Sequence, residues 1–338
     1  MTNPLMKGLA VCATLAISLG LVACSSDSES GQSGQSGSAQ SGEVVPEVDR
    51  SGDANFPDVT GDFGQEPTIS AGTGTEPTTI SARTLSKGDG AEVTSDDFLL
   101  VNYSGALWNG KVFDSSFTSG SPAAFGLDQV IKGWKYGLAS QHVGDRVQLV
   151  IPAEWGYGET GSGDAQSGKE ATIPANATLV FVVDIIDALD PSDTSALSDA
   201  SATKDATPEG ITVTGDLGSE PKLEFSGDTA PGDTVTTLAT GKGEAITDTD
   251  YVVYQAVGSY FGDSEPAMST WTTQNAQMLS PGVTEVVGKT VGSRLLITYA
   301  ATADASQSGA DPSASKATVM VVAIIGVLHG TSSKGCAA

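Results

Sequence analysis

Positive charge is scarce in this chain of 338 residues. Its 16 Lys and Arg stand against 41 Asp and Glu, a formal net charge of −25. Nucleic-acid binding needs a basic face, so no nucleic-acid partner is expected. The same deficit argues against electrostatic docking on anionic lipid headgroups. Cysteine is almost absent, at three residues: Cys12, Cys24 and Cys336. That is too few for a zinc site, and with Cys12 in a removed leader no intrachain disulfide is expected. Histidine is limited to His142 and His329, neither near a Ser or Asp pattern suggesting a hydrolase. No metal or cofactor is expected. What remains is plentiful Gly, Ser, Thr and Ala, the composition of a β-rich, loop-rich chain. Its length suits about two domains.

One apolar run stands apart, Gly8 to Val22 behind Lys7. It is too short for an ordinary membrane span and has the shape of an export signal. It ends in Leu21-Val22-Ala23-Cys24, followed by Ser25-Ser26-Asp27. This resembles a bacterial lipobox. The resemblance implies a signal peptide over 1–23, diacylglycerol on the Cys24 sulfur and a mature chain anchored outside the membrane by lipid. More than one acyl chain is needed for stable anchoring. An ordinary signal peptide cleaved elsewhere, or an uncleaved anchor, is the alternative. Residues 24–54 are rich in Ser, Gly, Gln and acid and read as a disordered tether. Cys336 falls in a loose tail, 331–338.

The rest divides into two related parts. Val59-Thr60-Gly61-Asp62-Phe63-Gly64-Gln65-Glu66-Pro67 returns as Val213-Thr214-Gly215-Asp216-Leu217-Gly218-Ser219-Glu220-Pro221. Thr84-Leu85-Ser86-Lys87-Gly88 and Gly144-Asp145-Arg146 return as Thr237-Leu238-Ala239-Thr240-Gly241 and Gly292-Ser293-Arg294. Two copies at a nearly constant offset mean a duplicated domain and not a solenoid. The expected limits are 55–190 for the first copy with its N-terminal extension, 191–207 for a linker and 208–330 for the second copy.

Within the first copy, strands are expected at Phe98–Leu107, around Val147-Leu149-Ile151 and over Thr178–Leu189. One short helix, Lys132–Ser140, carries Trp134 and Leu138 on one face. This gives an α+β fold in which an antiparallel sheet curls over one short helix, twice in the chain. Tyr103, Phe113, Asp114, Val130, Ile131 and Trp134 gather within about thirty residues, with Gly at the bends. Taken singly, Trp134 and Phe113 read equally as core, Tyr103 as a strand residue with a locally bonded hydroxyl, and Asp114 as a turn former.

Together, the blocks resemble FKBP-type peptidyl-prolyl cis–trans isomerases. The resemblance runs from about Gly88 to Leu189. It rests on Val101-Asn102-Tyr103-Ser104-Gly105, Val112-Phe113-Asp114-Ser115-Ser116, Val130-Ile131-Lys132-Gly133-Trp134, Gly156-Tyr157-Gly158, Ile173-Pro174 and Thr178-Leu179-Val180-Phe181. Lipobox, tether and doubled domain are together similar to exported actinobacterial lipoproteins of that family. The resemblance implies an isomerase acting on X–Pro bonds of exported polypeptides. Trp134 would be the floor under the proline ring, and Tyr103, Phe113, Phe125, Val130, Ile131 and Phe181 the walls. The Ile131 N–H and the Tyr157 hydroxyl would hold substrate carbonyls, with Asp114 orienting Tyr103 or polarising the site. Ile173 would come from a closing loop. Tacrolimus-type macrolides are the ligand class implied, although Ala123 replaces a common rim aromatic and a small residue near Ser119 replaces a common Arg.

The second copy departs further. Ala256 falls at the Tyr103 position, Pro266-Ala267 near Phe113-Asp114, and no Trp matches Trp134. It is expected to keep the fold and lose the site. A non-catalytic chaperone or binding lipoprotein of the cell surface is the alternative function.

Overall fold

Phe98–Val101 are four consecutive apolar residues, and a strand of that pattern needs cover on both faces. The computed structural model describes residues 44–163, 172–301 and 316–330, and all four are buried in it. The first sheet comprises β1 (Val48–Asp49), β4 (Ile80–Ser86), β5 (Phe98–Leu107), β6 (Val112–Ser115), β7 (Ala123–Gly126), β8 (Arg146–Ile151) and β9 (Leu179–Leu189). Its order is β1-β4-β8-β9-β5-β6, with β7 beside β5. All pairs are antiparallel except β1 with β4. A small hairpin, β2 (Val59–Thr60) and β3 (Thr68–Ile69), lies apart from the sheet. Two helices interrupt the strands, α1 (Ser116–Ser119) and α2 (Lys132–Leu138).

The inner face of the sheet packs on α2. Leu99, Val101, Leu149, Ile151, Phe181 and Val183 share one core with Trp134 and Leu138. Two glycines in a seven-residue helix cost about 1 kcal/mol each relative to alanine, so packing must hold α2 in place. A Cβ on Gly133 would collide with the Ile151 side chain, and one on Gly137 would lie 2.9 Å from Leu149 Cδ2. The bare helix face therefore settles directly on β8. The far end is capped from outside: the Arg50 guanidinium donates to the carbonyls of Tyr136, Gly137 and Ala139 at 2.9, 3.2 and 2.7 Å. These are the acceptors a helix C-terminus leaves unpaired.

The outer face is covered at one end by β2–β3, where Val59, Ile69 and Trp108 pack with Ala106, Val180 and Val182. Polar groups on that face are sealed by the same segment. Arg146 Nε donates to Asp184 Oδ1 at 2.6 Å and Nη2 to Oδ2 at 2.8 Å. The guanidinium also donates to the carbonyls of Gly61 and Gln65, and Gly64 N–H donates to Asp184 Oδ2 at 2.7 Å. Both side chains are buried. The alternation in β8 thus marks no exposed face, since all six of its residues are buried.

Two expected boundaries are corrected. Val48 and Asp49 pair with Ile80 and Ser81, so ordered structure begins inside the stretch read as tether. The linker is ordered as well: it holds α3 (Ser195–Ser198), with Leu197 fully buried, and β10 (Ser201–Ala202), which pairs with the second sheet. The short helix ends at Leu138 and not at Ser140. The signal segment, Cys24, most of the tether, Cys336 and its tail, and 164–171 in the loop after Tyr157 lie outside the described residues.

The second half repeats the plan. After a hairpin of β11 (Ile211–Thr214) and β12 (Lys222–Phe225) come β13 (Thr234–Thr240), β14 (Tyr251–Tyr260), β15 (Met268–Ser269), α4 (Thr270–Thr273), β16 (Gln277–Leu279), β17 (Arg294–Tyr299) and β18 (Thr318–Leu328). Sheet order is β10-β13-β17-β18-β14-β15, with β16 beside β14, the same path as in the first half. Pro46 onward is one compact unit. The remaining outer faces of the two sheets share an apolar seam. Phe98, Leu100, Ala124, Ile186 and Leu189 meet Tyr251, Val253, Met278, Ile325 and Leu328 there.

At the end of β18, His329 lies 3.1 Å from Asp250 and 3.2 Å from Glu244, and its N–H donates to Asp187. Partial burial alone would depress the imidazole, but these carboxylates raise its pKa above the ordinary histidine value. A raised folded pKa gives stability that is complete below the unfolded pKa, about 6.5, and fades as pH rises through the folded one. We expect the His329 proton NMR titration to have its midpoint above 6.5, and His329→Gln to lose the extra thermal stability that wild type shows at mildly acidic pH. For the buried pair, Asp184→Ala should cost about 3–5 kcal/mol by urea unfolding, because it strands the Arg146 charge.

Candidate active site

The inner surface of the first sheet opens into a cavity of about 340 Å³. Tyr103, Phe113, Asp114, Phe125, Val130, Ile131, Trp134, Tyr157 and Phe181 line it, together with Gln129. They come from several elements. Tyr103 comes from the middle of β5 and Phe181 from β9, two residue pairs along the ladder. Phe113 and Asp114 come from β6, opposite Gly105 and its neighbour. Gly105 makes room for the rings: a Cβ there would lie 2.7 Å from Phe181 and 2.8 Å from Phe113. Phe125 comes from β7, and Val130 and Ile131 from the turn entering α2. Tyr157 follows a short 3₁₀ turn, Ala153–Trp155, and is 38% exposed at the rim.

Trp134 sits at the base of this group. Its indole makes edge-on contacts with Phe181, Phe125 and Tyr103, with centroids 5.2, 5.3 and 5.4 Å away and interplanar angles of 84–90°. Phe113 meets Phe181 in the same way at 5.6 Å. Such pairs add about 0.5–1.5 kcal/mol each beyond burial. The result is a rigid apolar box with its Trp almost wholly buried.

Polar groups are few. The Tyr103 hydroxyl donates to Asp114 Oδ2 at 2.5 Å. Burial, then the hydrogen bond and the charge of Asp114, push the Tyr103 pKa well above the usual tyrosine value, so it stays a neutral donor. Ser115 N–H donates to the other oxygen of Asp114. The Ile131 carbonyl accepts from Trp134 and Lys135, whereas its N–H has no partner among the described residues. That leaves a donor free beside the cavity. Among the described residues no group of three or more metal-ligating side chains occurs.

Ile173 is placed elsewhere. It is buried in the core, exchanges backbone hydrogen bonds with Ser162, and is not among the residues that line the cavity. Gln129 is the lining residue that sequence reading missed; nothing in its type or spacing singles it out.

The second sheet can be compared by register. Tyr103 N–H is bonded to Ser116 Oγ, and Ala256 N–H to Thr270 Oγ1 in the same place. Tyr103 pairs with Val183, and Ala256 with Val322. Asp114 pairs with Gly105 and Met268 with Gly258, so the residue at the Asp114 position is Met268 and not Pro266 or Ala267. Phe181 corresponds to Met320 and Phe125 to Leu279. Between β16 and β17 there are only turns where α2 lies in the first half.

Residues 90–186 match the family model of the FKBP-type peptidyl-prolyl cis-trans isomerases. A probable FKBP-type peptidyl-prolyl cis-trans isomerase of Haemophilus influenzae is 49% identical over 102 residues, 30% of this chain and 39% of that protein. FkpA of Escherichia coli, also described as an FKBP-type isomerase, is 40% identical over 116 residues, 34% of this chain and 40% of its own length. The crystal structure of AtFKBP13 aligns over 34% of this chain and 96% of its own, at 32% identity and a TM-score of 0.31. The chain thus spans about two-fifths of these bacterial relatives. Residues 90–186, with the cavity they enclose, are an FKBP-type peptidyl-prolyl cis–trans isomerase domain.

Proposed function

We propose that this chain accelerates cis–trans rotation of X–Pro bonds in exported polypeptides, and that the first domain does so in the cavity floored by Trp134. The observation that carries this is the apolar aromatic box with an unpaired backbone donor, Ile131 N–H, beside it. Amide rotation faces a barrier of about 18–20 kcal/mol because it breaks C–N resonance. No covalent bond forms, so neither a nucleophile nor a metal is needed. The twisted amide is less polar along C–N than the planar one. A dry cavity favours it over the ground state, which is differential binding of the transition state. Ile131 N–H and the Tyr157 hydroxyl would hold flanking carbonyls, and Trp134 and Phe181 the pyrrolidine ring. Tyr103, locked on Asp114, presents a neutral ring edge to the twisting carbonyl.

Lipid anchoring through Cys24 belongs to the same proposal and rests on the lipobox alone. It would place the enzyme outside a bacterial membrane, where exported chains fold and an uncatalysed prolyl bond waits tens to hundreds of seconds. The second domain would be non-catalytic, because Ala256, Met268 and Met320 stand where the first has Tyr103, Asp114 and Phe181. This substitution also favours the second reading, a binding lipoprotein that holds clients without turning them over.

In a protease-coupled assay with a proline tetrapeptide, the full chain should exceed the uncatalysed rate. Trp134→Ala and Phe181→Ala should each lower kcat/KM by at least about tenfold. A full chain at background rate that still suppresses client aggregation would select the binding reading instead. Metabolic acyl labelling should vanish in Cys24→Ala.

A further inference from the structure

We infer that the second domain positions the first domain's pocket, with Tyr251 as a positioning residue acting through β7 on the Phe125 wall. This rests on the isomerase reading of the cavity and extends it to the second half of the chain.

The reasoning starts from β7. It is four residues long and, among the described residues, pairs with β5 alone. An edge strand this short gains little from its own hydrogen bonds, so its position depends on what packs on its two faces. The inner face carries Phe125, whose ring meets Trp134 at 5.3 Å and Tyr103 at 6.3 Å. The outer face carries Ala124, which with Leu100 of β5 enters the seam against Tyr251, Val253, Ala276 and Met278. A strand's successive side chains point to opposite faces, so one residue separates the pocket wall from the other domain. The seam is also pinned by a polar contact. Tyr251 Oη donates to the Pro122 carbonyl at 3.3 Å, just before β7 begins.

The two domains bring matching positions to this seam. By register Leu100 corresponds to Val253, Ala124 to Met278 and Ile186 to Ile325. The second domain is apolar at the seam positions that pack behind β7, and it has Ala256, Met268 and Met320 where the first has Tyr103, Asp114 and Phe181.

The test uses the full chain. Tyr251→Phe removes the hydroxyl and leaves the ring in the seam, so folding is preserved. Its kcat/KM should fall about three- to tenfold, the range one lost hydrogen bond spans, through a raised KM with little change in kcat. In a Phe125→Leu background the same substitution should have no further effect, since its route to the pocket is gone. Ile325→Val loosens the seam on β18, which packs against β9, and should lower stability while leaving kcat/KM unchanged. Independently of activity, the Trp134 Nε1–H NMR resonance, assigned with Trp134→Phe, should shift in Tyr251→Phe and stay put in Ile325→Val. A wild-type kcat/KM in Tyr251→Phe, an additive effect in the Phe125→Leu background, or an equal resonance shift in Ile325→Val would each overturn the inference. A wild-type chain without isomerase activity but with the Trp134 shift in Tyr251→Phe would uphold the positioning and sink only the isomerase reading.

Discussion

Close approach of α2 to β8 is the constraint on which the cavity depends. Trp134 lies beneath the pocket because Gly133 and Gly137 let the helix backbone sit against Ile151 and Leu149. A side chain at either glycine would lift the helix and take the indole away from Phe125, Phe181 and Tyr103. The helix is short and intrinsically weak, so the same packing that it permits also has to hold it. Arg50 supplies the rest by binding the C-terminal carbonyls from a segment before the domain proper. The site therefore draws on residues well outside 90–186.

The N-terminal extension acts a second time on the outer face. A sheet whose strands are apolar on both sides needs two covers, and α2 supplies only one. The hairpin β2–β3 covers part of the other and brings its carbonyls to Arg146, while Asp184 neutralises the charge. Burying a guanidinium is costly unless its donors are matched. The second half shows how far that arrangement bends. Arg294 donates to three carbonyls of the matching hairpin, Asp216, Leu217 and Ser219, yet the residue across the ladder is Ala323. Its Nε is left buried without a partner. The hairpin motif persists in both halves because it closes the sheet, even where the ion pair is gone.

Much of this was legible from residues. The strand Phe98–Leu107, the Trp134 helix, the repeat and the cavity residues other than Gln129 follow from pattern and family likeness. What stayed hidden has a common physical cause, namely contacts between segments far apart in sequence. Arg50 in a polar stretch carries no local sign that it reaches residues 136–139. The linker looked unstructured because Ser, Asp and Thr dominate it, but Leu197 and a two-residue strand suffice to dock it. The seam had one visible sign: Phe98–Val101 are apolar without alternation, so the strand's outer face required a partner that the first domain does not contain.

That partner explains why a domain without the aromatic box is retained in ordered form. Inside the second sheet Tyr254 stands where the first has Val101, fully buried. A ring at that inward position, with turns in place of α2 and Val286 buried among them, makes a core that no longer needs a Trp. Filling the interior removes a cavity, and cavities cost stability. The outer face of the second domain still meets β5 and β9 through Val253, Met278 and Ile325. A pocket must keep empty volume and therefore has less packing of its own, and the seam adds packing behind the strand that carries Phe125. In the duplicated fold one copy encloses the cavity, and the other packs behind the strand that carries its Phe125 wall.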